Sequence, residues 1–404
     1  MSEKLTVKNV VNINKSTLSA KDNWSTLKYL DTGNITENQI DTLQIFQKGE
    51  KLPSRAKRKV EKGTIIYSTV RPNQKHFGYF DTHSNDLVVS TGFATLDVID
   101  PRINSKYLYY LLTQNSVISQ LQSIGENSTS SYPSIRPEDI GNLSFVFPDI
   151  DIQNKIADIL TSIDKKIQIN NQINQELEAM AKTLYDYWFV QFDFPDQNGK
   201  PYKSSGGKMV YNPELKREIP EGWGVSNLFD AAEVQYGYPF STDYFNSTGE
   251  GVPVIRIRDI LGNDITNYST EEVEDKYRIN VGDVLIGMDG NFHMNYWIKE
   301  NCYLNQRVVK VNSDKLPNMV LKYQIEPFIK LREKSVSRTT VGHLSDKDLK
   351  AINVILPKDK CLSSIFEKFE SILENIIINQ QQNQELTQLR DWLLPMLMNG
   401  QVKV

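Results

Sequence analysis

The chain carries the same segment twice. Asn170, Asn174, Gln175, Glu176 and Leu177 recur in order as Asn379, Asn383, Gln384, Glu385 and Leu386, a constant offset of 209 residues. At that offset Asn142-Leu143-Ser144-Phe145-Val146-Phe147-Pro148 also meets Ala351-Ile352-Asn353-Val354-Ile355-Leu356-Pro357, and Ser134 to Ile140 meets His343 to Leu349. Further back the register slips by ten, and Lys62-Gly63-Thr64-Ile65-Ile66 pairs with Val281-Gly282-Asp283-Val284-Leu285. Two long copies predict a pseudo-twofold molecule, each half a divergent body followed by a better matched tail. A solenoid would need more and shorter repeats.

After Pro148, apolar residues fall in alternating steps of four and three: Ile156, Leu160, Ile163, Ile167, then Asn170 and Asn174, then Leu177, Ala181, Leu184 and Trp188. This is the spacing of a coiled-coil seam. The second copy continues it as Ile365, Phe369, Ile372, Ile376, Asn379, Asn383, Leu386, Arg390, Leu393 and Leu397. Asparagines at four seam positions cost stability unless paired, and their attested use is to fix register and partner. Residues 151 to 189 would extend roughly 58 Å as helix, too long to pack on one small body alone. The two helices are therefore expected to pack on each other. Between Phe189 and Trp223 a stretch rich in Gly, Pro, Lys and Ser cannot continue a helix, so the second body should begin at the far end of the first helix. Its own helix then returns antiparallel, with the bodies at opposite ends of a rod.

The bodies themselves show short β-branched and aromatic runs (Thr64-Ile65-Ile66-Tyr67, Leu87-Val88-Val89, Val284-Leu285-Ile286, Val308-Val309-Lys310-Val311), with helical stretches near Ser105 to Ser123 and Met319 to Arg332. The predicted class is α+β, since no alternating βαβ pattern appears. Cys302 and Cys361 are too few for a disulfide or zinc framework. The polar start Met1-Ser2-Glu3-Lys4 and the lack of any membrane-length apolar run lead us to expect a cytoplasmic protein.

Catalytic signatures are missing from the sequence. There is no methyltransferase cofactor loop and no Asn/Asp-Pro-Pro-aromatic tetrad. Around Gly206-Gly207-Lys208 the phosphate-loop pattern fails, because position 202 is Tyr and Met209 follows the lysine. Glu274-Asp275-Lys276 has the acid-x-Lys form of some nucleases, a triplet common in solvated charge runs. The histidines His76, His83, His293 and His343 have no partner at metal-ligand spacing.

A formal net charge of −4 excludes coating nucleic acid by charge alone, so any such contact must be local. Lys48 to Lys62 holds seven basic residues, among them Arg55, Lys57, Arg58 and Lys59, against Glu50 and Glu61. Such runs are ordinarily solvated surface, but polar loops lie close by. Ser68 to His76 contains Arg71, Asn73, Lys75 and His76, and its second-copy equivalent contains Asn291, His293 and Asn295. Arg and Asn are side chains that read base edges in a major groove. A second loop pair, with Ser128, Thr129 and Ser130 in one copy and Arg338, Thr339 and Thr340 in the other, suits phosphate or base contact. The copies agree in scaffold and differ in these loops.

The chain resembles the specificity (S) subunits of type I DNA restriction-modification systems over essentially its whole length. Most specific are Trp188-Phe189-Val190-Gln191-Phe192-Asp193-Phe194-Pro195, the stretch Gly199 to Val210, Ile219-Pro220-Glu221-Gly222-Trp223, and the ending Leu393-Leu394-Pro395-Met396-Leu397-Met398-Asn399-Gly400. The first body departs from this, opening with Asp22-Asn23-Trp24 only. The resemblance implies two mixed α/β target-recognition domains, 1–148 and 223–357, at opposite ends of an antiparallel two-helix coiled coil, with spacer helices 149–192 and 358–404 and a linker at 193–222. It further implies a non-catalytic reader of a split site in double-stranded DNA, docked by two methyltransferase (M) subunits and by restriction/translocase (R) subunits, with no membrane partner. S-adenosylmethionine, ATP and Mg are expected on those partners and no cofactor in this chain. The rival readings are a coiled-coil scaffold or adaptor that never touches DNA, and the same reader in a type II or modification-only complex.

Overall fold

The computed structural model describes residues 4–19, 21–82, 85–262, 265–335, 342–357 and 362–404. It resolves into two compact units, unit 1 formed by Met1–Lys165 with Leu386–Val404 and unit 2 by Lys166–Glu385. The class is α+β.

In unit 1 the β-branched runs build a four-stranded antiparallel sheet in the order Val11–Ile13, Phe93–Val98, Ile65–Ser68, Phe77–Tyr79. Its two central strands bury both faces, which is why Ile65, Ile66, Phe93 and Leu96 are fully enclosed. A second sheet runs Gln44–Gln47, Thr26–Leu30, Leu87–Ser90, Ala56–Lys59, with its middle pair parallel. Asn104 caps the helix Ser105–Leu112 by accepting from the Tyr107 amide at 2.9 Å. That helix sends Tyr107, Leu108 and Leu111 into a core shared with Val10, Ile140, Leu160 and Leu397.

Unit 2 repeats this plan. Its antiparallel sheet runs Glu233–Tyr236, Val308–Asn312, Val284–Gly287, Met294–Tyr296, the same order by position. The register agrees too, Ile65 facing Leu96 as Val284 faces Val311. A second sheet of five strands again has a parallel middle pair, Val252–Ile255 with Cys302–Leu304. One helix, Asn318–Ser335, stands where unit 1 has Ser105–Leu112 and Asn115–Glu126.

Each central strand is entered through the same turn. Gly63 at φ +92° and Gly282 at φ +89° occupy the left-handed region that glycine adopts without strain. The Gly63 amide donates to Phe80 O and the Gly282 amide to Trp297 O, both at 2.8 Å.

Two long helices, Ile150–Tyr185 and Ser363–Met398, are divided between the units. Within unit 1, Ile156 and Leu160 pack with Leu394 and Leu397. Within unit 2 the helices run antiparallel, Asn170 meeting Asn383 and Asn174 meeting Asn379. The first helix ends in a π turn, Asp186–Val190, and Phe192 then takes φ +65°. The stretch expected as a linker is itself folded in unit 2: Phe194 stacks on Trp223 at 5.0 Å, and Asp193 accepts from the Ser204 amide and hydroxyl at 2.7 and 2.6 Å. Burying Phe189, Phe192, Phe194 and Trp223 together explains why a polar stretch is bracketed by aromatics.

Candidate nucleic-acid interface

Unit 1 ties its sequence-predicted loops together through the backbone. The Thr69 amide donates to Gly92 O at 2.9 Å, the Ile135 amide to Thr69 O at 2.8 Å, and the Arg71 amide to Pro133 O at 2.8 Å. Ser134 forms a bridge with Val70. Ile135 is buried and anchors this crossing, while Asp139, accepting from the Arg136 amide at 2.7 Å, starts the helical turn that follows. Because main-chain groups carry the frame, the side chains on it are left for other work.

On this frame Arg71 is exposed, takes φ +47° and lies 5.8 Å from the Tyr132 ring centre. A non-glycine residue in the left-handed region is uncommon and marks a position where side chain identity outweighs backbone ease. Beside Tyr132, Ser130 donates to the Tyr132 carbonyl at 2.5 Å and contacts the Ser128 hydroxyl at 2.9 Å, with Thr129 exposed between them. Asn73 is exposed, and its amide donates to Gln122 at 3.2 Å. Lys75 and His76 are turned inward to partners: Lys75 pairs with Glu37 at 2.5 Å, and His76 Nδ1 lies 2.5 Å from Ile35 O.

The basic stretch divides. Arg55 joins the reading frame through its carbonyl, which accepts from the Thr91 amide next to Gly92 at 2.9 Å. Lys57 is exposed on the edge strand Ala56–Lys59. Arg58 is half-buried and among the described residues its Nε has no hydrogen-bond partner; burial lowers its pKa. Lys59 is paired with Asp22 at 2.5 Å. Two of the four cations, Arg55 and Lys57, are thus exposed.

Unit 2 repeats the frame bond for bond. The Met288 amide donates to Arg307 O at 2.9 Å, the Leu344 amide to Met288 O at 2.7 Å, and the Gly290 amide to Gly342 O at 2.9 Å, with His343 bridging to Asp289. Leu344 is buried like Ile135, and Asp348 accepts from the Ser345 amide at 2.8 Å as Asp139 does from Arg136. The side chains differ. Asp289 Oδ1 contacts His343 Nδ1 at 2.6 Å, and its Oδ2 lies 3.2 Å from Arg307 Nε. Asn291 is exposed on the same loop and His293 half-buried. Asn295 sits instead in the strand Met294–Tyr296 and donates to Ile260 O at 3.1 Å. Arg338, Thr339 and Thr340 lie outside the described residues. The sequence did not single out Arg307; Asp289 and Tyr132 lie in its candidate loops without being named as contacts, and His343 entered through the repeated motif and as a histidine lacking metal-ligand spacing.

The seam asparagines are hydrogen bonded within unit 2. Asn170 Nδ2 donates to Asn383 Oδ1 and Gln382 Oε1, both at 2.8 Å, Asn379 donates to Asn174 at 2.9 Å, and Asn383 to Asn171 at 2.8 Å. In unit 1 the seam position Arg390 is mostly buried and pairs with Asp391, Asp164 and Glu37 at 2.9, 3.2 and 3.4 Å. Burial alone would lower its pKa, but Asp164 and Asp391 outweigh that and hold the guanidinium charged.

A family model of the type I restriction modification DNA specificity domain matches residues 2–179 and 220–388. The chain belongs to that family. Its matched segments hold the frame of unit 1, with Thr69, Arg71, Gly92 and Ile135, and that of unit 2, with Met288, Gly290, Arg307 and Leu344. Among individual specificity-family relatives, it is 25% identical to the type I restriction enzyme HindI specificity subunit of Haemophilus influenzae, over 93% of this chain and 94% of that protein. It is 27% identical to the MjaIX specificity subunit of Methanocaldococcus jannaschii, over 93% and 84%. In fold it is similar to the crystal structure of a type I restriction-modification S subunit from M. genitalium, with TM-score 0.56, 16% identity, and coverage of 98% of this chain and 95% of that one.

Proposed function

We propose that this chain is the DNA-specificity subunit of a type I restriction-modification complex, a non-catalytic protein that reads a split duplex site. The observation that carries this reading is the duplicated backbone frame, identical in its hydrogen bonds and different in its exposed side chains, inside a chain of the specificity family. Two copies of one frame bearing different polar groups are what two half-sites of different sequence require. Phosphate contacts from Arg55 and Lys57 would position the duplex, and side chains on the loop frames would read base edges.

The finer arrangement is part of the same proposal. The target-recognition bodies 1–148 and 223–357 sit at opposite ends of the antiparallel helices, whose length sets the unspecified gap, and the paired asparagines fix the register. Methyltransferase subunits cover the helices. Ile169, Ile173 and Met180 leave an apolar stripe exposed on the first long helix, which supports a protein partner there. Those subunits bind S-adenosylmethionine and extrude the target adenine, while ATP and Mg serve the restriction/translocase subunits. The site of action is the cytoplasm. Among the described residues, no helix is long and apolar enough to cross a membrane.

The test is an insertion of four residues after Leu177, read by sequencing methylated sites in cells that also express the methyltransferase subunit. The insertion lengthens the helix by ~6 Å, close to two base pairs of B-DNA at ~3.4 Å each. Unchanged half-sites with a longer gap support the reading. An unchanged gap or a broad mixture of gaps contradicts the ruler, and the absence of any site preference in the parent chain contradicts DNA reading altogether.

A further inference from the structure

We infer that Arg307 is the base-reading residue of unit 2, that it takes a guanine through the two terminal nitrogens of its guanidinium, and that Asp289 is the residue that positions it. This rests on the DNA-reading assignment above and adds a residue that the sequence did not single out.

The first argument is place. Arg307 occupies the position on the frame that Gly92 holds in unit 1, since the Met288 amide donates to Arg307 O as the Thr69 amide donates to Gly92 O. A side chain at position 92 would meet Thr32 Cγ2 at 2.8 Å and have to displace it, and unit 1 leaves this position bare. Unit 1 places Arg71 one strand over, and unit 2 has Gly290 at that point, where φ is +72°. At these two equivalent frame positions each unit therefore carries one arginine, Arg71 in unit 1 and Arg307 in unit 2.

The second argument is geometry. Asp289 comes nearest to Arg307 at Nε, 3.2 Å from its Oδ2, and among the described residues Nη1 and Nη2 donate no hydrogen bond. Those two atoms form the fork that matches O6 and N7 of guanine in the major groove. The Arg307 side chain is 55% exposed, against 28% for Asp289, so the cation stands outside its carboxylate. His343, on the other oxygen at 2.6 Å, holds the Asp289 side chain in one orientation. A lone aspartate on a DNA-facing surface would repel phosphate, and pairing it with Arg307 removes that penalty while stiffening the reader.

The experiment uses the full chain co-expressed with its methyltransferase subunit, with methylated sites sequenced for the parent and for Arg307→Ala, Arg307→Lys and Asp289→Asn. Arg307→Ala should lower preference at one base pair of one half-site by roughly 5- to 150-fold. Arg307→Lys, which keeps the charge without the fork, should lose preference at the same base pair. Asp289→Asn should show a smaller loss there with an unchanged melting temperature, the signature of positioning. Full preference retained by Arg307→Lys would make the residue a phosphate contact and overturn the inference, as would relaxation in both half-sites or a guanine preference surviving in Arg307→Ala. A parent chain with no site preference would instead overturn the DNA-reading assignment itself.

Discussion

Unit 1 and unit 2 keep the same main-chain frame while exchanging nearly every side chain that the frame displays. The pattern extends to the interior. Behind the turn at Gly63, Thr64 donates to Asp97 at 2.6 Å; at the equivalent turn after Gly282, the acid is Asp283 and Asn312 is its neutral partner. Each unit keeps one carboxylate at this strand crossing, on opposite sides. Since backbone groups satisfy one another, the fold constrains these positions by size and hydrogen-bonding capacity more than by identity. Such a frame can change what it reads without changing how it folds.

The largest effect on this likeness should come from its shared anchor. Ile135→Ala and Leu344→Ala each remove a buried side chain from the same point of the frame and should each cost about 2–5 kcal/mol. Amide hydrogen exchange should show the loss of protection confined to unit 1 for the first and unit 2 for the second. Equal loss in both units would mean that the two cores are not separate.

The exchanged acids give a sharper, pH-dependent contrast. Burial pushes the Asp283 carboxyl up to about 6 from its ordinary 3.8, partly opposed by the Asn280 amide and Lys310. Its folded-state pKa lies above the unfolded one, so the associated stability is fully present below 3.8 and is lost as pH rises through about 6. Asp283→Asn should therefore flatten the pH dependence of unit 2 between roughly pH 4 and 7, raising its stability at the neutral end. Asp97, also raised by burial, should give unit 1 the same sign of dependence. Urea melts across this range check both, and an Asp283→Asn chain that keeps the wild-type pH slope would contradict the assignment.

Much of the frame was legible in the sequence, because what recurs there is structural. Ile135 and Leu344 recur as buried anchors, Asp139 and Asp348 as helix starts, Gly63 and Gly282 as left-handed turns. The proposed readers were less legible. Arg71 stood out by lying after a strand, but Arg307 sits at an intermediate offset, 215 from Gly92, between segments that match at 219 and 209. No residue identity marks that register; only the strand pairing of Phe93 with Ser68 and Val308 with Gly287 fixes it. The basic stretch misled for a related reason. Charge density counts Lys59 and Arg58, whereas an ion pair with Asp22 engages one and the fold half-buries the other.

That distinction sets a smaller effect, in the salt dependence of binding. Arg55→Ala with Lys57→Ala should reduce the slope of log K against log salt by about 2, and adding Arg58→Ala and Lys59→Ala should change it little further. Binding measured across a salt series with the methyltransferase subunit present checks this. A continued drop with the last two substitutions would place them on phosphates after all.

The most direct test of one frame carrying two independent readers is Arg71→Gly, which gives unit 1 the residue that unit 2 has at the same left-handed position. Relief of backbone strain and the added freedom of the unfolded chain oppose one another, so stability should stay within about 1 kcal/mol of the parent. Methylated-site sequencing should then show one half-site relaxed at a base pair, with the other half-site and the gap untouched. Relaxation of both halves, or an unaltered site, would contradict the account.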